Sequence, residues 1–318
     1  MCIGFPISPK EHEHRRTLLP QQVAELSHPE NCVFELGYGR VLGISDDAYR
    51  KAGARMAPQD QVLSCPTIVE PKIGDAPYLH TLAPRTTIFG WVHAEENPEI
   101  AQTLIDRKLT AYAWEHMHED GRHIFWRNNQ LAGESAVLHA YLRYGKMPYE
   151  TNVAVIGRGE TAVGAVRVLQ GLGARVTIYR RTTEQLLRDE LDQYDVVVNC
   201  VLWDLDRQDH ILSREDVARM KPGSMIVDVS CDAEGGVETS RPTTIEAPIY
   251  TEEHVVHYVV DHTPSIMFKT ATTAISEAAA PYVDQLLRSE PSDVLNQARI
   301  AEDGKLFVEV EGLADTAK

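Results

Sequence analysis

Short apolar runs alternate with longer stretches of helical period along most of the chain. Residues 2–5, 32–36, 67–70, 87–92 and 110–114 are compact apolar runs of strand length, as expected of buried parallel strands. Between them, residues 21–26 begin a helix, Ser45 is a plausible N-cap for another, and residues 98–108 are amphipathic. Residues 129–144 predict a helix that carries the chain into a second series of strands at 153–156, 175–179, 195–201, 225–229 and 257–260. A long helix at 270–287 leads away, and Asp303-Gly304 between short alternating runs predicts a hairpin. This order predicts the α/β class with parallel sheets. We expect two domains. Residues 1–130 with 271–318 form a discontinuous α/β substrate domain, and residues 131–270 form a Rossmann-type dinucleotide-binding domain. The active site is expected in the cleft between them.

The stretch VAVIGRGETAVGAVRVLQGLGARVTIYRR carries the most specific signal. An apolar strand is followed by Gly157, Gly159 and Ala162 as G-x-G-x-x-A, then a helical pattern, then a second strand. Dinucleotide-binding units have this order. Gly157 permits the tight turn, Gly159 lets backbone approach a pyrophosphate at the helix N-terminus, and Ala162 lets helix and strand pack closely. An NAD site usually ends the second strand with an acid that holds the ribose hydroxyls. Here Arg180, Arg181 and Thr182 stand at that end. A guanidinium suits a phosphate, so the expected cofactor is NADPH. The alternative is a solvated charge pair, with Glu184 or Asp189 as partner.

Composition narrows the function classes. The 318 residues carry 31 basic against 47 acidic side chains, a formal net charge of −16. That disfavours nucleic acid or an anionic membrane as partner. No apolar run approaches the length of a membrane span, and the N-terminal stretch lacks the pattern of a signal peptide. Five cysteines lie scattered without a C-x-x-C, so reduced thiols, a cytoplasmic location and no metal site are expected.

Ligand groups in open parallel sheets gather at the carboxyl ends of strands. Lys72 and His93 both fall there, and Arg15 follows the first strand after a loop. Asp232 sits in a glycine-rich loop after a strand, with Asp228 upstream as a rival.

Together these segments resemble the alanine dehydrogenase and transhydrogenase alpha-subunit family. The resemblance rests on Ile3-Gly4-Phe5-Pro6 with Arg15 five positions before Pro20, on Glu70-Pro71-Lys72, on His93, and on KPGSMIVDVSCDAEGGVETSRPTT containing Asp232. Within the family, VDHTPSIMFKTA and VNCVLWD resemble the (carboxyethyl)ornithine synthase branch. The resemblance implies an opine-type dehydrogenase that condenses pyruvate with the side-chain amine of ornithine and reduces the imine with NADPH. It also implies a homo-oligomer. On this view Arg15 and Lys72 hold the 2-oxo acid, while His93 and Asp232 are catalytic. His93 would be the acid near neutral pKa that protonates the carbonyl oxygen, and Asp232 would orient the amine or take its proton.

Other readings stay open. Glu95 and Glu96 could receive the ammonium of a diamino acid, or could simply favour the next helix N-terminus. Arg16, Arg241 and Lys269 are candidates for the amino acid's carboxylate. An alanine dehydrogenase using ammonia and a non-catalytic NADP(H)-binding regulator are the competing functions.

Overall fold

The apolar runs of the first half become neighbouring strands of one sheet. The computed structural model describes residues 2–204, 207–233 and 235–310. It divides into two units, Met1–Phe125 with Phe268–Lys318, and Trp126–Met267.

The first unit contains β1 (Ile3–Phe5), α1 (Pro20–Ala24), β2 (Cys32–Glu35), α2 (Asp46–Lys51), β3 (Arg55–Ala57), α3 (Gln59–Leu63), β4 (Thr67–Val69), β5 (Thr87–Gly90), α4 (Pro98–Asp106) and β6 (Thr110–Ala113). A small hairpin, β7 (His118–Glu119) and β8 (Arg122–His123), follows. β1, β4 and β5 are buried along nearly their whole length. Both faces of the sheet are covered, which explains why these strands read as continuous apolar runs. β3 is a three-residue strand at the sheet edge, with Arg55 exposed and Ala57 buried, too short to give an apolar run. Ser45 stands at the N-cap of α2 but makes no side-chain cap. Asn97 caps α4 instead of an acid, accepting from the N–H groups of Glu99 and Ile100.

The second unit opens with α5 (Trp126–Tyr144) and continues through β9 (Asn152–Ile156), α6 (Glu160–Gly171), β10 (Arg175–Tyr179), α7 (Glu184–Asp189), β11 (Val196–Asn199), α8 (Arg214–Ala218), β12 (Met225–Asp228), β13 (Ile249–Glu252) and β14 (Val255–Tyr258). Its strands run in the order β10-β9-β11-β12-β14-β13, parallel except for β13. α5 and α6 approach very closely. A Cβ on Gly164 would sit 1.9 Å from the Gln130 carbonyl oxygen, and one on Gly133 would sit 2.0 Å from that of Thr161.

The chain then re-enters the first unit through α9 (Phe268–Arg288) and α10 (Asp293–Gln297) to β15 (Arg299–Glu302) and β16 (Lys305–Leu306). β15 adds antiparallel to β6, giving the order β16-β15-β6-β5-β4-β1-β2-β3. Asp303 and Gly304 both have positive φ, 48° and 79°, as a two-residue hairpin turn requires.

One expectation is corrected. Cys2 and Cys65 are joined by a disulfide, with Cα atoms 5.5 Å apart. Parallel pairing of β1 with β4 matches Ile3 to Thr67, which brings together two cysteines that lie far apart in sequence. Cys32, Cys200 and Cys231 are not disulfide-bonded. No helix among the described residues is long and apolar enough to cross a membrane.

Candidate active site

In the first unit, the loops after β1, β4 and β5 gather a cluster of charges at the carboxyl end of the sheet. Arg15 is buried, and its guanidinium grips Glu13 with two hydrogen bonds, Nε to Oε1 at 2.9 Å and Nη2 to Oε2 at 2.5 Å. It also lies over the Trp91 ring, 5.0 Å from the centroid. Arg15 is therefore no surface residue, as a polar run alone would suggest. Its charge is held in place on one side by a carboxylate and on the other by an aromatic face.

Lys72 is also buried, with Nζ 3.1 Å from Asp75. Lys10 shares that carboxylate at 2.7 Å. Glu70 accepts the Lys72 backbone N–H at 2.9 Å and fixes the start of the loop. Burial, helped by nearby Glu13 and opposed by the hydrogen bonds from Lys72 and Ser8, pushes the Glu70 carboxyl up to about 7. Glu13, the partner of Arg15, thus lies within electrostatic range of Glu70, which anchors the Lys72 loop.

His93 lies three residues beyond β5 in the left-handed region, at φ 54°. Such a backbone is uncommon for a residue with a side chain. Glu115 holds it there. Its carboxylate accepts the His93 N–H at 2.6 Å and the Val92 N–H at 3.2 Å. The His93 ring nitrogen Nδ1 is 3.8 Å from Glu96. Burial raises the Glu96 carboxyl, Glu95 adds to this, and Lys72 opposes it. Glu96 thus lies beside His93 and within electrostatic range of Lys72. Glu95 turns instead to His116, at 2.7 Å.

The structure accordingly brings Arg15, Lys72 and His93 into one cluster. It adds Lys10, Glu13 and Glu115, which sequence reasoning passed over. Glu115 directly follows the apolar run at 110–114, so the strand-end rule could have found it. Arg16 is spent on structure, donating to the carbonyls of Tyr38 (2.6 Å) and Arg15 (2.8 Å). Arg241 stacks over Tyr250 at 4.0 Å.

Asp232 belongs to the second unit, in the loop after β12. Asp228 closes that strand, buried and bonded to Asn199 at 2.9 Å and Ser240 at 2.5 Å. Burial raises its carboxyl. Its backbone carbonyl accepts the Cys231 thiol at 3.2 Å. These bonds make Asp228 an anchor for the start of the loop that carries Asp232. Cys231 has φ 65°, and a Cβ on Gly235 would lie 2.6 Å from the Asp232 Cβ. Gly235 thus packs directly against Asp232.

The glycine turn has the geometry a pyrophosphate needs. Gly157 has φ 118°, and a Cβ there would meet the Cys200 carbonyl oxygen at 3.0 Å. Gly159 is the N-cap of α6, and a Cβ on it would meet nothing within 4 Å. The space that a phosphate would occupy in front of the helix N–H groups is therefore open. Ala162 is buried against the sheet. Arg180, Arg181 and Thr182 follow β10 and are exposed. Arg181 pairs with Asp204 at 2.7 Å. Glu184, a suggested partner, is taken by Arg207 at 3.0 Å.

A parallel sheet with a glycine turn at its first crossover, in a chain that also carries a buried cation cluster, defines the class as an α/β nicotinamide-dependent oxidoreductase. The alanine dehydrogenase/PNT N-terminal domain family matches residues 5–125, and the corresponding C-terminal domain family matches residues 179–309. The chain belongs to the alanine dehydrogenase/PNT family. It is 29% identical over 300 residues to an N(5)-(carboxyethyl)ornithine synthase of Clostridium botulinum, covering 89% of this chain and 94% of the relative. It is 28% identical over 321 residues to an alanine dehydrogenase of Halomonas elongata, covering 89% and 86%. A solved L-alanine dehydrogenase superposes with a TM-score of 0.82 at 25% identity, over 96% of this chain and 97% of the other.

Proposed function

We propose that this chain catalyses the NADPH-dependent reductive condensation of pyruvate with the side-chain amine of ornithine, or of a related diamino acid, to an N-(1-carboxyethyl) amino acid. The observation that carries this reading is the pair of buried cations, Arg15 and Lys72, set in one cluster with His93. Arg15 and Lys72 receive the carboxylate of the 2-oxo acid. The two buried cations favour such an anion. His93 donates a proton to the carbonyl oxygen as the amine adds and water leaves. Glu96, on the same side as the His93 ring, receives the substrate ammonium. Asp232 accepts the amine's proton or orients it for attack. Bound NADPH supplies the hydride that reduces the imine carbon. Gly157, Gly159 and Ala162 admit its pyrophosphate, and Arg180 after β10 favours its extra phosphate.

The synthase relatives at 26–29% identity support the diamino acid. The resemblance to alanine dehydrogenases supports a second reading, in which ammonia replaces the diamino acid. Following NADPH absorbance with pyruvate and each amine separates the two. Turnover with ornithine, and little with ammonia, is expected. If ammonia alone supports turnover, the synthase reading fails and the dehydrogenase reading replaces it.

A further inference from the structure

We propose that Arg158 works with Arg180 as the recognition site for the 2′-phosphate of NADPH, and that Arg181 takes no part. The inference rests on the NADPH reading and assigns the residues that would discriminate. Arg158 stands between the two glycines of the turn, a position that sequence reasoning left blank. Both Arg158 and Arg180 line a single cavity of about 500 Å³, whose other walls include Gly157, Ala162, Val166 and Ile178.

Three observations converge. First, neither guanidinium has a carboxylate partner among the described residues, whereas the neighbouring cations do. Arg181 is paired with Asp204, and Arg167 with Glu134. Two like charges in one cavity repel, and a dianionic phosphate monoester placed with them removes that cost. Second, the remaining walls are largely apolar. Val166 and the half-exposed Ile178 offer no carboxylate or other acceptor that would compete with a phosphate for the two guanidinium groups. Third, Asp204 counts against Arg181. A phosphate bonded to Arg181 would be brought beside that carboxylate and repelled by it.

The planar fork of each arginine suits phosphate oxygens. NADH carries no group for these charges, so their contribution falls on the difference between the two cofactors.

The test is titration of NADPH and NADH binding, by nicotinamide fluorescence, in the whole protein and in Arg158→Gln, Arg180→Gln and Arg181→Gln. Loss of one charged hydrogen-bonding partner should weaken NADPH about 10- to 100-fold. We expect that loss in Arg158→Gln and Arg180→Gln, with NADH affinity changed less than about twofold and displacement by 2′,5′-ADP lost in parallel. Arg181→Gln should keep the unchanged protein's ratio of affinities. Arg158→Lys, which keeps the charge but not the fork, should fall in between. If Arg158→Gln retains full NADPH preference, the assignment is overturned while the NADPH reading stands. If it weakens NADH equally, the turn itself has been damaged and the assignment also falls. If the unchanged protein binds both cofactors equally, the NADPH reading fails first and takes the assignment with it.

Discussion

Glu70 is fully buried beside Lys72, and burial moves its carboxyl from 4.5 to about 7. Between these two values the folded chain holds a proton that the unfolded chain has released. Stability therefore falls as pH rises through this window, by roughly 3 kcal/mol in total. Glu70→Gln keeps an oxygen for the Lys72 N–H but cannot ionise. Its stability should change less between pH 5 and pH 8, and at pH 8 it should exceed that of the unchanged protein. Denaturant melts at the two pH values check this, and parallel curves for both proteins would exclude the assignment. Glu115 presents a different case. It touches the His93 backbone, not the ring, and so acts by position. Glu115→Ala should lower kcat on the order of 10²-fold, the size expected from misplacing a catalytic group by about 1 Å. The pyruvate KM should hardly move, and Glu115→Gln should recover part of the loss. His93→Ala should abolish turnover and leave NADPH affinity unchanged, because the cofactor turn lies in the other unit. Near-normal kcat in Glu115→Ala would mean that the left-handed backbone at His93 needs no clamp. Residues of this kind were hard to see in the sequence. Glu115 and Asp75 meet partners 22 and 65 positions away, and only the closed sheet reveals them. Lys72 and His93 were visible because strand ends can be read from apolar runs.

At the level of elements, the glycines separate into those that sequence could interpret and those it could not. Gly157 lies in a turn with φ 118°, and the chemistry of a phosphate site explains its presence. Gly173, with φ 83°, stops α6 as its position in the sequence implies. Gly164 and Gly133 lie inside helices, where a glycine reads only as weakness. Their purpose appears in the crossing of α5 and α6, whose backbones meet without side chains between them. Gly164→Ala would force a methyl group to within 1.9 Å of the Gln130 carbonyl oxygen. The helices would have to separate, at a cost of about 1–3 kcal/mol or more. Gly171 is the contrast. It is the last residue of α6, and a Cβ there would meet nothing within 4 Å. Gly171→Ala should be neutral or stabilising by up to about 1 kcal/mol. Thermal unfolding of the two variants should therefore move in different directions. A Gly164→Ala protein as stable as the original would show that the crossing is not tight.

On the scale of the whole molecule, each unit has its own apolar cores. Two clusters built on Phe34 and Ile68 belong to the first unit, and two built on Val155 and Ile226 belong to the second. The alternation of strands and helices made the α/β class and parallel sheets legible. Long-range strand order was not legible, because apolar runs do not state their neighbours. The disulfide between Cys2 and Cys65 was missed for that reason. Separate cores have a consequence for ligand binding. A ligand held by one unit stabilises that unit by mass action, by about 2.7 kcal/mol at 100 times its dissociation constant. The second unit spans Trp126–Met267, a size at which each kcal/mol moves the midpoint by roughly 2–4 °C or slightly more. NADPH at that ratio should raise the unfolding temperature of the second unit by on the order of 5–10 °C. NADH at the same concentration should raise it less, by an amount that follows the logarithm of its weaker affinity. Gly157→Asp places a charged side chain at φ 118°, against the Cys200 carbonyl, and puts a carboxylate where the pyrophosphate must lie. It should remove the shift with either cofactor. Scanning calorimetry with each cofactor provides the measurement. Equal shifts with NADPH and NADH would remove the basis for NADPH, and a full shift in Gly157→Asp would place the cofactor somewhere other than the glycine turn.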